Sequence, residues 1–148
     1  MKIKKGDKLP DSKVFILDSD PKEVSIKQII GDKKTILFGI PGAFTPTCSA
    51  KHLPGFVMAA DQLKEKDIKK VVCISVNDPF VMDAWGKIHN AQGKIMMLGD
   101  YNADFTRNIG AEQNLDLEKH PKSIQHPLIN SLFTKFDGSQ YHLKSRAN

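Results

Sequence analysis

Cys48 is the residue of this sequence best placed to do chemistry, because of what stands on either side of it. The stretch Gly39–Ile40–Pro41–Gly42–Ala43–Phe44–Thr45–Pro46–Thr47–Cys48–Ser49 follows a strand-like run, Thr35–Ile36–Leu37–Phe38, and precedes a helix-like segment. The thiol is therefore expected where a strand turns into a helix. With Thr45 as N-cap, Pro46 takes the first helical position, which proline favours, and Cys48 falls in the first turn among backbone N–H groups that have no partner within the helix. Those donors and the positive end of the helix dipole stabilise a thiolate, the nucleophilic form of cysteine. On these residues alone two readings stand for Cys48, an inert buried thiol and an activated nucleophile. Thr45 is either a cap only or a cap whose hydroxyl also orients a polar substrate beside the sulfur. Pro41 is a turn proline or a shield of the thiolate from bulk water. Phe44 is packing or an apolar wall for a substrate with an alkyl tail.

The second cysteine, Cys73, lies mid-strand between Val72 and Ile74, as a small buried hydrophobe or as a resolving thiol. A disulfide needs Cα atoms within roughly 7 Å, and a deeply placed Cys73 would require the helix start at Cys48 to unwind first. His52 follows Cys48 by one helical turn, but there is no CxxC, and His89, His120, His126 and His142 show no ligand spacing, so neither a metal site nor a cofactor is expected. The missing CxxC also argues against a dithiol exchanger.

The elements that must position these residues are legible as an alternation. Val14–Asp18 and Glu23–Ile26, joined through Ser19–Asp20–Pro21–Lys22, suggest an N-terminal hairpin, and Gly31–Lys34 a loop. Thr35–Ile40 reads as a strand covered on both faces. Leu53, Phe56, Val57, Ala60 and Leu63 make one apolar helix face ending near Lys66, with a kink expected at Pro54–Gly55. Lys69–Val76 is a second buried strand, and Asn77–Asp78–Pro79 caps a helix presenting Phe80, Val81, Ala84, Trp85 and Ile88. Gly93–Asp100 supplies a third strand, and Ala103–Gly110 a short helix with a glycine stop. Such alternation implies an α/β fold with a mostly parallel, helix-covered sheet.

Composition bounds the class. The 148 residues, 40% hydrophobic, suffice for one substantial core. The net charge of +5 is spread along the chain without a dense basic block interleaved with aromatics, so no nucleic-acid partner is expected. No apolar run approaches the roughly 18 residues of a membrane span, and Met1–Lys2–Ile3–Lys4–Lys5–Gly6 lacks the apolar core of a signal peptide. A cytoplasmic location without membrane contact is the expectation.

The motif Pro41–x–x–x–Thr45–x–x–Cys48 resembles the active-site signature of peroxiredoxins, and Phe38–Ser49 as a whole is similar to their type II branch. Lys51–His52–Leu53–Pro54–Gly55–Phe56 and the stretch from Cys73 through Ala84–Trp85 resemble that branch too. The likeness runs from about Lys4 to Gly110. It implies a single domain with a thioredoxin-like three-layer sandwich around a central mixed, mostly parallel sheet. It also implies a thiol-dependent peroxidase reducing hydrogen peroxide and alkyl hydroperoxides through a cysteine sulfenic acid. Cys48 would be the peroxidatic nucleophile, Thr45 a hydrogen-bonding partner of thiolate and peroxide, and Pro41 the shield. Some type II members form a disulfide with a cysteine at the place of Cys73. Others rely on glutathione, glutaredoxin or thioredoxin, and both modes stay open here.

The stretch 113–148 departs from that pattern. The arginine that should face the sulfur is expected near Pro127 and Leu128, where there is none; Arg146 arrives late, and Arg107 is less suited still. A guanidinium beside a thiolate lowers its pKa and offers fixed donors to the peroxide oxygens, which lysine does poorly. A slower enzyme with a higher Cys48 pKa is therefore expected. Leu132–Tyr141 reads as strand, turn and start of a strand, and an altered end would leave apolar sheet surface for a homodimer to cover. The alternative function is a weakened homologue acting as a redox-responsive binding partner.

Overall fold

The computed structural model describes residues 7–40, 42–44, 53–114, 127–129, 132–136 and 141–145. The first two strands, β1 (Lys13–Asp18) and β2 (Asp20–Ser25), form an antiparallel hairpin that turns at Ser19, with φ of 62°. Pro21 is tolerated in β2 because that strand lies at the sheet edge, where a missing N–H costs no ladder bond. Helix α1 (Ile26–Ile30) follows at once, a helix that the apolar pattern did not announce. Its start is a full capping box: Ser25 Oγ accepts from the Gln28 N–H at 3.0 Å and Gln28 Oε1 accepts from the Ser25 N–H at 3.2 Å.

The alternation then proceeds as β3 (Thr35–Gly39), α2 (Leu53–Glu65), β4 (Lys70–Ser75), α3 (Pro79–Ile88), β5 (Met96–Gly99) and α4 (Asp104–Asn108). β6 (Glu112–Asn114) and β7 (Pro127–Ile129) form a separate antiparallel pair, and β8 (Leu132–Phe136) and β9 (Tyr141–Ser145) return to the main sheet. That sheet has the order β2-β1-β5-β4-β3-β8-β9. It is mixed: its parallel part is the central trio β5-β4-β3, and every outer pairing is antiparallel. β8 lies along the whole of β3, from Thr35↔Phe136 to Gly39↔Leu132, so the divergent tail forms one flank of the sheet.

Strand alternation splits the core in two and makes the three layers. On one face Leu37, Val72, Ile74 and Leu98 pack with Ile26, Ile29 and Ile30 of α1 and with Phe105 of α4. On the other, Ile36, Phe38, Val71 and Cys73 pack with Leu53 of α2 and with Met82 and Trp85 of α3. Burial on both faces is why β3 and β4 read as continuous apolar runs.

One expectation is corrected in detail. The face of α3 is rotated from the one expected. Pro79, Met82, Trp85 and Gly86 are buried, whereas Phe80, Ala84 and Ile88 are exposed. The sheet selects Gly86 because its Cα approaches Met97, so closely that an added Cβ would lie 2.9 Å from Met97 Cγ. The kink expected at Pro54–Gly55 turns on residues before Leu53, which lie outside the described ones. The apolar surface expected at the tail likewise concerns side chains outside them. Among the described residues no helix is long and apolar enough to cross a membrane.

Candidate active site

Pro41, Thr45 and Cys48, with His52 and Arg146, lie outside the described residues. What the structure gives is the frame that carries them. Because β3, β4 and β5 are parallel, their carboxyl ends fall side by side, the position at which open α/β sheets place their ligand sites. The chain leaves β3 at Gly39 and Ile40, whose N–H donates to the Ile74 carbonyl at 3.0 Å, and continues through Gly42–Phe44; α2 is described from Leu53. In sequence, Cys48 falls between β3 and α2, the elements described on either side of it.

Both ends of this segment are anchored. At the near end Asn77, just beyond β4, accepts through Oδ1 a 3.0 Å hydrogen bond from the Ala43 N–H, thirty-four positions earlier in sequence. The Ser75 hydroxyl donates to the same Oδ1 at 3.0 Å. The next residue, Phe44, has φ of 63°, a left-handed conformation that a bulky side chain adopts only when its surroundings impose it. Its ring is 53% exposed. At the far end Leu53 is buried, and Phe56, in the first turn of α2, stacks on Phe38 of β3 with ring centroids 3.9 Å apart.

The neighbouring loops are built as tightly. Asp78 caps α3 by accepting from the Val81 N–H at 2.8 Å, with Pro79 at the first helical position. The loop sits directly on Gly99: a Cβ there would meet the Asn77 carbonyl oxygen at 2.6 Å and the Pro79 nitrogen at 3.0 Å. Asp100, buried, donates its N–H to the Ser75 carbonyl at 2.7 Å. Its carboxylate accepts three bonds from α4, from the Phe105 N–H at 3.2 Å, the Thr106 N–H at 2.8 Å and Thr106 Oγ1 at 2.6 Å. Burial nonetheless holds its pKa above the usual carboxylate value, with Asp104 adding to the rise and the Thr106 and Phe105 donors opposing it.

Cys73 is fully buried in β4, paired in register with Phe38 and Met97, on the face covered by α2 and α3. Arg107 is exposed on α4 and donates through Nη1 to the Asn102 carbonyl at 3.1 Å. A cavity of about 430 Å³ lined by Ala60, Ile68, Val71 and Ile95 with Lys64 and Lys94 opens at the amino ends of β4 and β5, the end of the sheet opposite Gly39 and Ser75. The sequence reading missed Asn77 as more than a cap, and missed Gly99 and Asp100 altogether. Only the Asn77–Asp78–Pro79 string could have signalled the first.

Comparison with known proteins agrees with this frame. The redoxin family model matches residues 4–129. The chain is 51% identical over 125 residues to peroxiredoxin-2E, chloroplastic, of Arabidopsis thaliana, covering 82% of this chain and 53% of that protein. It is 45% identical over 112 residues to peroxiredoxin-2D of the same plant, covering 74% and 69%. Reduced Prx3 of Vibrio vulnificus, solved in complex with H2O2, superposes with a TM-score of 0.88 at 35% identity, over 98% of this chain and 89% of that one. The chain belongs to the redoxin family and, within it, to the type II peroxiredoxins, with their thioredoxin-like fold. It spans about half the length of peroxiredoxin-2E and just over two thirds of peroxiredoxin-2D.

Proposed function

We propose that this chain is a thiol-dependent peroxidase with Cys48 as its peroxidatic nucleophile. The observation that carries the reading is positional. In a chain of the type II peroxiredoxins, the Pro41–x–x–x–Thr45–x–x–Cys48 motif follows in sequence the carboxyl end of β3, the end at which open α/β sheets bind ligands, and precedes α2. In the first step the Cys48 thiolate attacks one peroxide oxygen and the O–O bond breaks. The sulfur is oxidised to sulfenic acid, and the leaving oxygen takes a proton to depart as water or an alcohol. Thr45 would hold the thiolate and the peroxide, and Pro41 would keep bulk water from the sulfur. A reductant thiol then displaces the sulfenic oxygen as water, giving a mixed disulfide that a second thiol resolves, so two thiols are oxidised per peroxide.

The burial of Cys73 beneath α2 and α3 favours an external reductant, glutathione with glutaredoxin or thioredoxin, over an internal disulfide. With no arginine at 127–128, the helix start and Thr45 carry most of the thiolate's stabilisation, and the Cys48 pKa is higher than in members that have one. A cytoplasmic, reducing setting suits a chain with two cysteines, and the exposed Phe44 and Phe80 offer apolar surface to a second copy in a homodimer. Relatives that are peroxiredoxins favour the enzyme over the reading as a redox-responsive binding partner. Mass spectrometry after one equivalent of hydrogen peroxide tests the assignment: one oxygen added at Cys48 is expected, and an unmodified Cys48 would refute it.

A further inference from the structure

We infer that Asn77 is a positioning residue for the peroxidatic segment, fixing from the loop just beyond β4 the turn that leads towards Cys48. The inference rests on the assignment of Cys48 above and adds a residue to it from the loop after β4. Asn77 has a rotamer defined from two sides: its Oδ1 receives the Ser75 hydroxyl from below and the Ala43 N–H from the turn, both at 3.0 Å. A backbone N–H can only donate, so the atom facing Ala43 must be the amide oxygen, and the orientation of the side chain follows. Ser75 is itself fully buried at the end of β4, and the backbone of Asn77 rests on Gly99 with no room for a Cβ between them. The acceptor is therefore held rigidly by the sheet.

What it holds is a strained turn. Phe44 sits at φ of 63° with about half of its surface exposed, a conformation that a bulky residue adopts under constraint. The bond from the Ala43 N–H, one residue earlier, ties the turn to the loop after β4. Ala43 precedes Cys48 by five residues, and the far anchor at Leu53 follows it by five. Loss of the near anchor lets the turn relax, and displacement of the sulfur by an ångström is enough to cost rate in an oriented reaction.

The test uses the reduced full chain and its Asn77→Ala, Asn77→Asp and Ser75→Ala variants. The second-order rate with hydrogen peroxide is measured by stopped flow at a pH where ultraviolet absorbance shows Cys48 fully ionised, with a thermal melt of each variant. Asn77→Ala should lower that rate about tenfold. Asn77→Asp, which keeps an acceptor oxygen in place, should recover most of it. Ser75→Ala, which removes only the hydroxyl that orients Asn77, should cost about threefold and serves if Asn77→Ala does not fold. A folded Asn77→Ala at the wild-type rate would overturn the inference, as would an Asn77→Asp as slow as Asn77→Ala, or a Ser75→Ala at the wild-type rate when Asn77→Ala is unfolded. A wild-type chain that does not outpace free cysteine would instead remove the Cys48 assignment on which it rests.

Discussion

Replacing Asp100 by asparagine tests the buried polar link that ties α4 to the carboxyl ends of β4 and β5. The carboxylate takes two bonds on Oδ2, from the Thr106 N–H and hydroxyl, and one on Oδ1, from the Phe105 N–H. Asparagine has the same shape but one acceptor. In its better orientation the oxygen keeps the Thr106 pair and the amide NH2 faces the Phe105 N–H, donor against donor. One buried donor then goes unsatisfied, at about 1–3 kcal/mol, and two charge-assisted bonds become neutral ones, at about 1 kcal/mol each. Relief from burying a charge offsets part of this, leaving a net loss of about 2 kcal/mol, or a melting temperature lower by about 4–8 °C for a chain of this size. The pH dependence carries the sign. Burial raises the folded pKa of Asp100 above the roughly 3.9 of an unfolded aspartate, so the folded state holds its proton more tightly. Its contribution to stability is fully present below the unfolded value and falls as pH rises through the folded one. Thermal melts of both proteins between pH 3.5 and 7, on the order of these reference values, should show the wild-type advantage shrinking as pH increases. A variant as stable as wild type throughout, or an advantage growing with pH, would refute the reasoning.

Three further outcomes follow from single contacts. Gly99→Ala places a methyl 2.6 Å from the Asn77 carbonyl oxygen, so denaturant unfolding should show a loss of about 1–3 kcal/mol, together with slower peroxide reduction. Lys70 donates through Nζ to the Ile29 carbonyl at 2.6 Å, and burial, then Lys33, lowers its pKa. Its charge opposes folding, so wild-type stability should rise relative to Lys70→Met as pH climbs through the lowered folded value towards the unfolded lysine value of about 10.4; an unchanged difference would contradict this. Cys73→Ala should keep turnover with glutathione and glutaredoxin, because Cys73 is buried under two helices. Loss of turnover in a folded variant would make Cys73 the resolving thiol.

Much of the fold was legible because burial on both faces makes β3 and β4 uninterrupted apolar runs, and because Asp78–Pro79 is a strong helix start. Helix α1 escaped: it has only five residues, and its three isoleucines continue the apolar signal of β2. Its one mark was the Ser25–Gln28 capping box. The α3 face was misread because Phe80, Val81, Met82, Trp85 and Ile88 surround nearly the whole helix, and the sheet chose the side where Gly86 admits Met97. At the site, the reading of Cys48 as reactive rests on local signals in the sequence, a helix-start pattern and two prolines, and the residue itself lies outside the described ones. Asn77, Gly99 and Asp100 were not legible, because each acts across strands that only the parallel register brings together.

The central claim is that Cys48 is a peroxidatic nucleophile, and stopped-flow reaction of the reduced chain with hydrogen peroxide tests it most directly. The account predicts a reaction faster than that of free cysteine at the same pH and abolished in Cys48→Ser; a rate no greater than free cysteine, or one that survives the substitution, would contradict it.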